Sequence, residues 1–160
     1  MPKPVGARMP SGYGVPLDGS GGERLPWSWA AERLEVERNY WVCTSRPGAP
    51  AHAAPVWGLW LDGAFWFSTD AESRKGRNIT ADPRVVVHLE SGDDVVILEG
   101  TAVRIHGTAA LDPFVEAYDA KYGIRVDIAD ASFAVYRVAP RVARTWTEKD
   151  FPGTATRWEF

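Results

Sequence analysis

From Tyr40 to Glu90 the chain runs as short apolar stretches separated by turn residues. Tyr40-Trp41-Val42-Cys43-Thr44-Ser45 reads as a strand. A Pro-Gly turn between Arg46 and Pro50 returns the chain into a long apolar run, Ala53 to Leu61. Asp62-Gly63 follows, a pair suited to the type I′ hairpin turn, which needs positive φ at both central residues. Ala64 to Ser68 is a third strand. Asp82-Pro83 then precedes a fourth, Val85-Val86-Val87-His88-Leu89. Between the third and fourth strands lies Thr69 to Asn78, the most polar and cationic part of the region, with a helix start near Glu72 or Ser73.

The same reading extends to either side. Pro26 to Asn39 is a helix whose apolar side is Trp27, Ala30, Ala31 and Leu34, with Ser28 as a candidate cap. Ser91 to Asp94 is a second hairpin turn. Val95 to Ile105 is a long strand, with Gly100 as a bulge or close-approach point. Asp112 at the N-cap and Pro113 at the first helical position open a second helix that runs to Tyr122 and stops at Gly123. Ile124 to Ala131 is a loop. Phe133–Val138 and Val142–Thr147 are the last strands, joined across Pro140-Arg141. About six or seven antiparallel strands with two or three flanking helices predict a mainly β (α+β) barrel rather than a doubly wound sheet.

Residues 1–26 hold six glycines and five prolines and read as an extended arm, with Tyr13, Val15, Leu17 and Leu25 able to pack on a body or partner. Residues 27–150 form the barrel domain. Residues 151–160 are a polar-aromatic tail, expected to dock rather than wave in water.

Composition narrows the function classes. The 160 residues are 45% hydrophobic and 24% charged, as in ordinary globular proteins. A net charge of −3 gives no bulk support for nucleic-acid binding. No apolar run reaches the ~20 residues that span a bilayer, and the N-terminus lacks a signal-peptide core, so a cytoplasmic location is expected. The single cysteine, Cys43, reads as a small buried apolar residue. His52, His88 and His106 lack metal-motif spacing.

The candidate chemistry lies in the cationic segment. A helix starting near Ser73 points unpaired backbone N–H groups outward, with the positive end of its dipole behind them. Ser73 adds a hydroxyl, Arg74 and Lys75 add charge, Thr69 sits at the preceding strand end, and Arg77 and Asn78 lie one turn on. These parts suit a phosphate. Spacing alone allows equally a helix whose cations face water.

Pro55-Val56-Trp57, Phe67-Ser68-Thr69, the run Ser73 to Asn78 and Asp82-Pro83-Arg84-Val85 together resemble the pyridoxamine 5′-phosphate oxidase-like superfamily, which includes flavin- and deazaflavin-dependent oxidoreductases. The resemblance covers roughly Leu25 to Trp146. It implies a split β-barrel, a homodimer with cofactor sites between subunits, and FMN or coenzyme F420 as cofactor. Ser68, Thr69, Ser73, Arg74, Lys75 and Asn78 would then hold the phosphate. The ring would lie against Pro55, Val56 and Trp57, where Gly58 allows close approach, and Trp146 would come near it. Of Trp57 and Trp60, only one need face the ligand. His88 would be a core residue or line the pocket.

An oxidoreductase acting on a small planar or conjugated substrate is the expected activity, with no obligatory acid or base. A non-catalytic carrier of flavin, deazaflavin or haem on the same barrel is the alternative. Arg74, Lys75, Arg77 and Arg84 carry more charge than a monoester needs, which favours the deazaflavin with its acidic tail. The ending Thr156 to Phe160 departs from true pyridoxamine phosphate oxidases, which carry an arginine–histidine pair there.

Overall fold

The computed structural model describes residues 1–6, 24–130 and 132–160. Tyr13, Val15 and Leu17 of the arm lie outside them. In chain order the elements are β1 (Lys3–Gly6), α1 (Trp27–Val36), β2 (Asn39–Thr44), β3 (His52–Leu61), β4 (Ala64–Asp70), α2 (Arg74–Ala81) and β5 (Arg84–Leu89). β6 (Asp94–Ile105), α3 (Thr108–Tyr122), β7 (Phe133–Thr147), a 3-10 turn at Glu148–Asp150, α4 (Phe151–Thr154) and β8 (Thr156–Glu159) complete it.

All pairings are antiparallel, and six strands close on themselves in the order β7-β4-β3-β2-β5-β6 and back to β7. Strand β7 closes this barrel by pairing with β6 along one edge, while its other edge serves two neighbours in turn. Its first half, Phe133–Val138, pairs with β4, and Val142–Thr145 pairs with β8. β1 adds to the outer edge of β8, so the chain's first residues and its tail share one small extension of the sheet.

Alternation decides what fills the barrel. Tyr40 and Val42 of β2, Phe65 and Phe67 of β4, Val87 of β5, Leu98 of β6 and Val138 of β7 all point inward and are fully buried. Each large side chain removed from water contributes ~1.5–3 kcal/mol. A second cluster lies outside the wall, where Leu111, Phe114, Val115 and Tyr118 of α3 cover Leu59 and Val135.

The local turn signals hold. Asp62 and Gly63 take φ of 50° and 69°, and Gly123 ends α3 with φ of 68°. At Gly100 the β6–β7 register shifts, with Glu99 opposite Val142 but Gly100 opposite Pro140. A Cβ on Gly100 would lie 2.3 Å from the Ala139 carbonyl oxygen, so no other residue fits without moving backbone.

Three expectations are corrected. Pro140-Arg141 does not separate two strands. β7 is continuous, because the bulge opposite Gly100 tolerates a residue without an N–H. The second helix starts about one turn before Asp112, at Thr108 with Gly107 as its N-cap, and Pro113 lies inside it. Burial of Leu111 in the α3 cluster rewards that extra turn. In α1 the N-cap is Pro26, not Ser28, and the helix ends at Val36 because Glu37 is already extended.

Candidate functional site

Strand β4 runs out at Asp70, and α2 begins at Arg74 across one end of the barrel. Ile79 joins the barrel core from beneath this helix. Gly76 permits the tight entry, since a Cβ there would lie 2.1 Å from the Ala71 carbonyl oxygen. Ser73 is the N-cap: its Oγ accepts the Gly76 N–H at 3.1 Å and lies 3.3 Å from Thr69 Oγ1. The first-turn amides of Arg74 and Lys75 are those such a helix leaves without internal partners.

The charges around this helix start fall into two groups. Arg84 is engaged by Asp82, with contacts from 2.6 to 3.2 Å, and this hydrogen bonding pulls the Asp82 carboxyl down to about 2. Arg77 donates to the Glu72 carbonyl. Arg74 reaches only the Pro50 carbonyl, at 3.2 Å. None of the ion pairs among the described residues includes Arg74, Lys75 or Arg77. Lys75 is half-buried, and burial lowers its ammonium pKa. A partly desolvated cation without a carboxylate is suited to a bound anion.

Other residues of the segment are occupied elsewhere. Asn78 is fully buried and donates its Nδ2 to Thr44 Oγ1 at 3.0 Å, so it pins α2 to β2 rather than facing outward. Its Oδ1 is without a partner among the described residues. Ser68 lies on the α3 side of β4, near the Tyr118 hydroxyl, whose pKa is raised by burial, with Ser68 opposing the rise. Of the phosphate set, Thr69, Ser73, Arg74 and Lys75 gather at the helix start.

The ring set is spread along β3. Pro55 faces solvent, and Val56 packs against the barrel core. Trp57 points outward, stacked on Tyr122 at 4.9 Å and 2°, with the Arg38 guanidinium over its ring. Trp60 faces the other way, edge-on to Trp27. Gly58 does not make room for a ligand. A Cβ there would meet the Phe65 ring at 2.4 Å, inside the barrel. Trp146 lies opposite Val95 and against Phe151, at the far end of β7 from the strand end that meets Asp70. One chain does not bring Trp146 to the helix start. His88 stacks on Trp41 on the outer wall.

His52 joins the site, although the sequence did not single it out. It opens β3 opposite Thr44, and burial, then Arg74 and Lys75, hold its imidazole below the usual value. Its place two residues beyond Pro50, at the strand end facing the helix, is the signal that marks it. Beside this end an open groove of about 750 Å³ runs over the outer wall, lined by Cys43, Thr44, Arg84, Glu99, Thr101 and Arg141. Burial raises the Cys43 thiol pKa. No cluster of potential metal ligands occurs among the described residues. None of the helices described is long and apolar enough to cross a membrane.

Comparison with known proteins places this architecture. No curated protein matches the chain. Among solved structures, a conserved hypothetical protein of Mycobacterium tuberculosis superposes with a TM-score of 0.65 at 26% identity, over 77% of this chain and 85% of that one. An F420 reductase superposes with a TM-score of 0.56 at 20% identity, over 70% and 92%. A heme binding protein from Mycobacterium smegmatis gives 0.58 at 19%, over 82% and 62%. The last two show likeness of fold alone. The family model described as pyridoxamine 5′-phosphate oxidase matches residues 30–147, from α1 to the end of β7, and the chain belongs to that family.

Proposed function

We propose that this chain is an oxidoreductase that holds FMN or coenzyme F420 by its phosphate at the start of α2 and acts on a small planar or conjugated substrate. The observation that carries this reading is Lys75, a half-buried cation with no carboxylate partner among the described residues, next to an Arg74 that is equally free of acids among them. Arg74 and Lys75 would supply charge, their amides would point at the phosphate, and Thr69 and Ser73 would offer hydroxyls. Ser73 Oγ already accepts from Gly76, so toward a ligand it would act as a donor.

When bound, such a cofactor supplies hydride chemistry, and the protein's part is placement and exclusion of water. Thr69, Ser73, Arg74 and Lys75 would fix one end of it. The Pro55–Trp57 stretch of β3, roughly 10–17 Å from His52 at 3.3 Å per residue, would lie under the other. Neutral His52 adds no further charge at the cradle. Oxidation of vitamin B6 is not proposed, because the tail has no arginine–histidine pair and Arg157 is paired with Glu159.

The choice between cofactors is narrower than charge counting implies. With Arg84 on Asp82, three cations without a carboxylate among the described residues are left near the cradle: Arg74, Lys75 and Arg77, the two arginines each donating to a carbonyl. The surplus of charge that favours the deazaflavin tail is thus reduced by one cation, Arg84, and the other three remain. The test is the absorbance spectrum and mass of the ligand that copurifies with the protein. A flavin or deazaflavin spectrum supports the reading. A haem Soret band would instead make the chain a carrier.

A further inference from the structure

The C-terminal end of α3 reaches across the wall to β3. Lys121 Nζ donates to Tyr40 Oη at 2.8 Å, to the Glu35 carbonyl at 3.0 Å and to the Gly58 carbonyl at 3.3 Å. Tyr40 spends its own hydrogen on the Leu34 carbonyl at 2.6 Å, so the Lys121–Tyr40 bond needs a lysine proton. The Tyr122 hydroxyl accepts the Gly58 N–H at 3.0 Å and donates to the Arg38 carbonyl at 2.9 Å. Gly58 lies one residue past Trp57, which pairs with the first residue of β2, so these side chains finish a rung that β2 does not reach.

The protons in this network can be counted. Three hydrogens of an ammonium, two of the phenols and one amide meet six acceptors, namely the carbonyls of Leu34, Glu35, Arg38 and Gly58 and the two phenol oxygens. A neutral amine brings one hydrogen fewer, and one acceptor must go without. Tyr122 Oη also lies 2.7 Å from the Gly58 carbonyl, so its hydrogen can turn there and abandon Arg38. The Gly58 contact is the longest of the three that the lysine makes, so the loss falls on that carbonyl or, through Tyr122, on Arg38, at the two ends of the segment where Trp57 is stacked.

We propose that Lys121 is a positioning residue that, only as an ammonium, locks the Pro55–Gly58 stretch of β3 against α1 and α3, and that losing one proton loosens this stretch. The role in cofactor binding rests on the function proposed above. Burial pushes the Lys121 ammonium down to about 8, with Glu37 opposing. The other titratable groups facing it are Tyr40 of β2 and Tyr122 of α3, both held neutral by burial, and Arg38 lies over Trp57. The lock therefore opens just above neutral pH.

The experiment follows the Gly58 amide by NMR from pH 6.5 to 9.5, alongside the affinities of FMN and coenzyme F420 at pH 7 and 9. Both are measured for the wild type and for Lys121→Met. The Gly58 resonance of the wild type should move with a midpoint near 8, and that of Lys121→Met should not. Affinity for whichever cofactor binds should fall about two- to tenfold from pH 7 to 9 in the wild type, the range one net hydrogen bond covers, and stay level in the variant. A Gly58 resonance that does not titrate in the wild type overturns the lock without any need of the variant. Titration with unchanged affinity overturns the positioning role alone. Titration with no binding of either cofactor at pH 7 overturns the proposed function and the role that rests on it, while the lock itself stands.

Discussion

Asn78 Nδ2 donates to Thr44 Oγ1 at 3.0 Å, and both residues are buried. The bond joins the helix of the candidate site to the end of β2, 34 residues away in sequence. It places the first turn of α2 over the barrel end and turns Asn78 from a candidate ligand contact into a support. Asn78→Ala should therefore lower stability by about 1–3 kcal/mol, the cost of leaving a buried partner unpaired. Urea unfolding measures this, and a loss below ~0.5 kcal/mol would show that the bond does not hold α2 in place.

Stability should depend on pH above neutrality in two opposed ways. Burial raises the Tyr40 hydroxyl and pushes Tyr122 up to about 12, whereas unfolded tyrosine titrates near ~10. The folded state then holds protons that the unfolded chain releases, so stability is whole below pH ~10 and falls as pH rises toward 12. Lys121 works the other way, because its folded value of about 8 lies below the unfolded ~10.4. Relief of the buried charge adds stability from pH 8 upward, even as its local clamp opens. Denaturation midpoints from pH 7 to 12 should rise slightly and then fall, and Lys121→Met should remove the rise. A wild-type midpoint that does not fall between pH 10 and 12 would contradict the assignment of the buried phenols.

A homodimer is the assembly we propose. Trp41, Cys43, Ala53, Pro55, Val86 and His88 form an apolar outer face on β2, β3 and β5 that α3 does not cover. Trp146 sits at the opposite end of the barrel from Lys75, so only a second copy can bring the two together. Light scattering at micromolar concentration should give twice the 17.6 kDa mass of one chain, and Pro55→Arg should shift it toward the monomer. A monomer mass for the wild type would rule the dimer out.

The features that could be read from the sequence are those fixed by neighbouring residues. Asp62-Gly63, the helix start near Ser73, the Gly100 bulge and the Gly123 stop each depend on a few backbone torsions, which a short sequence determines. What could not be read depends on distant partners. Asn78 is taken by Thr44, while Arg84 is neutralised by Asp82 and Lys75 has no carboxylate among the described residues. A polar side chain looks the same in sequence whether it meets a protein group or a ligand. Local signals also misled where burial outweighed them, as at Pro113, which reads as a helix start but lies within α3 because Leu111 is buried before it.

The most direct test of the central claim is a titration of the folded Arg74→Ala/Lys75→Ala double variant with FMN and with coenzyme F420, beside the wild type. If the start of α2 holds the phosphate, the wild type binds at least one of the two. The variant, with an unchanged circular dichroism spectrum, should bind it at least tenfold more weakly, as expected when charge-assisted hydrogen bonds worth ~1.5–3 kcal/mol are lost. Equal affinity of the folded variant and the wild type would contradict the account.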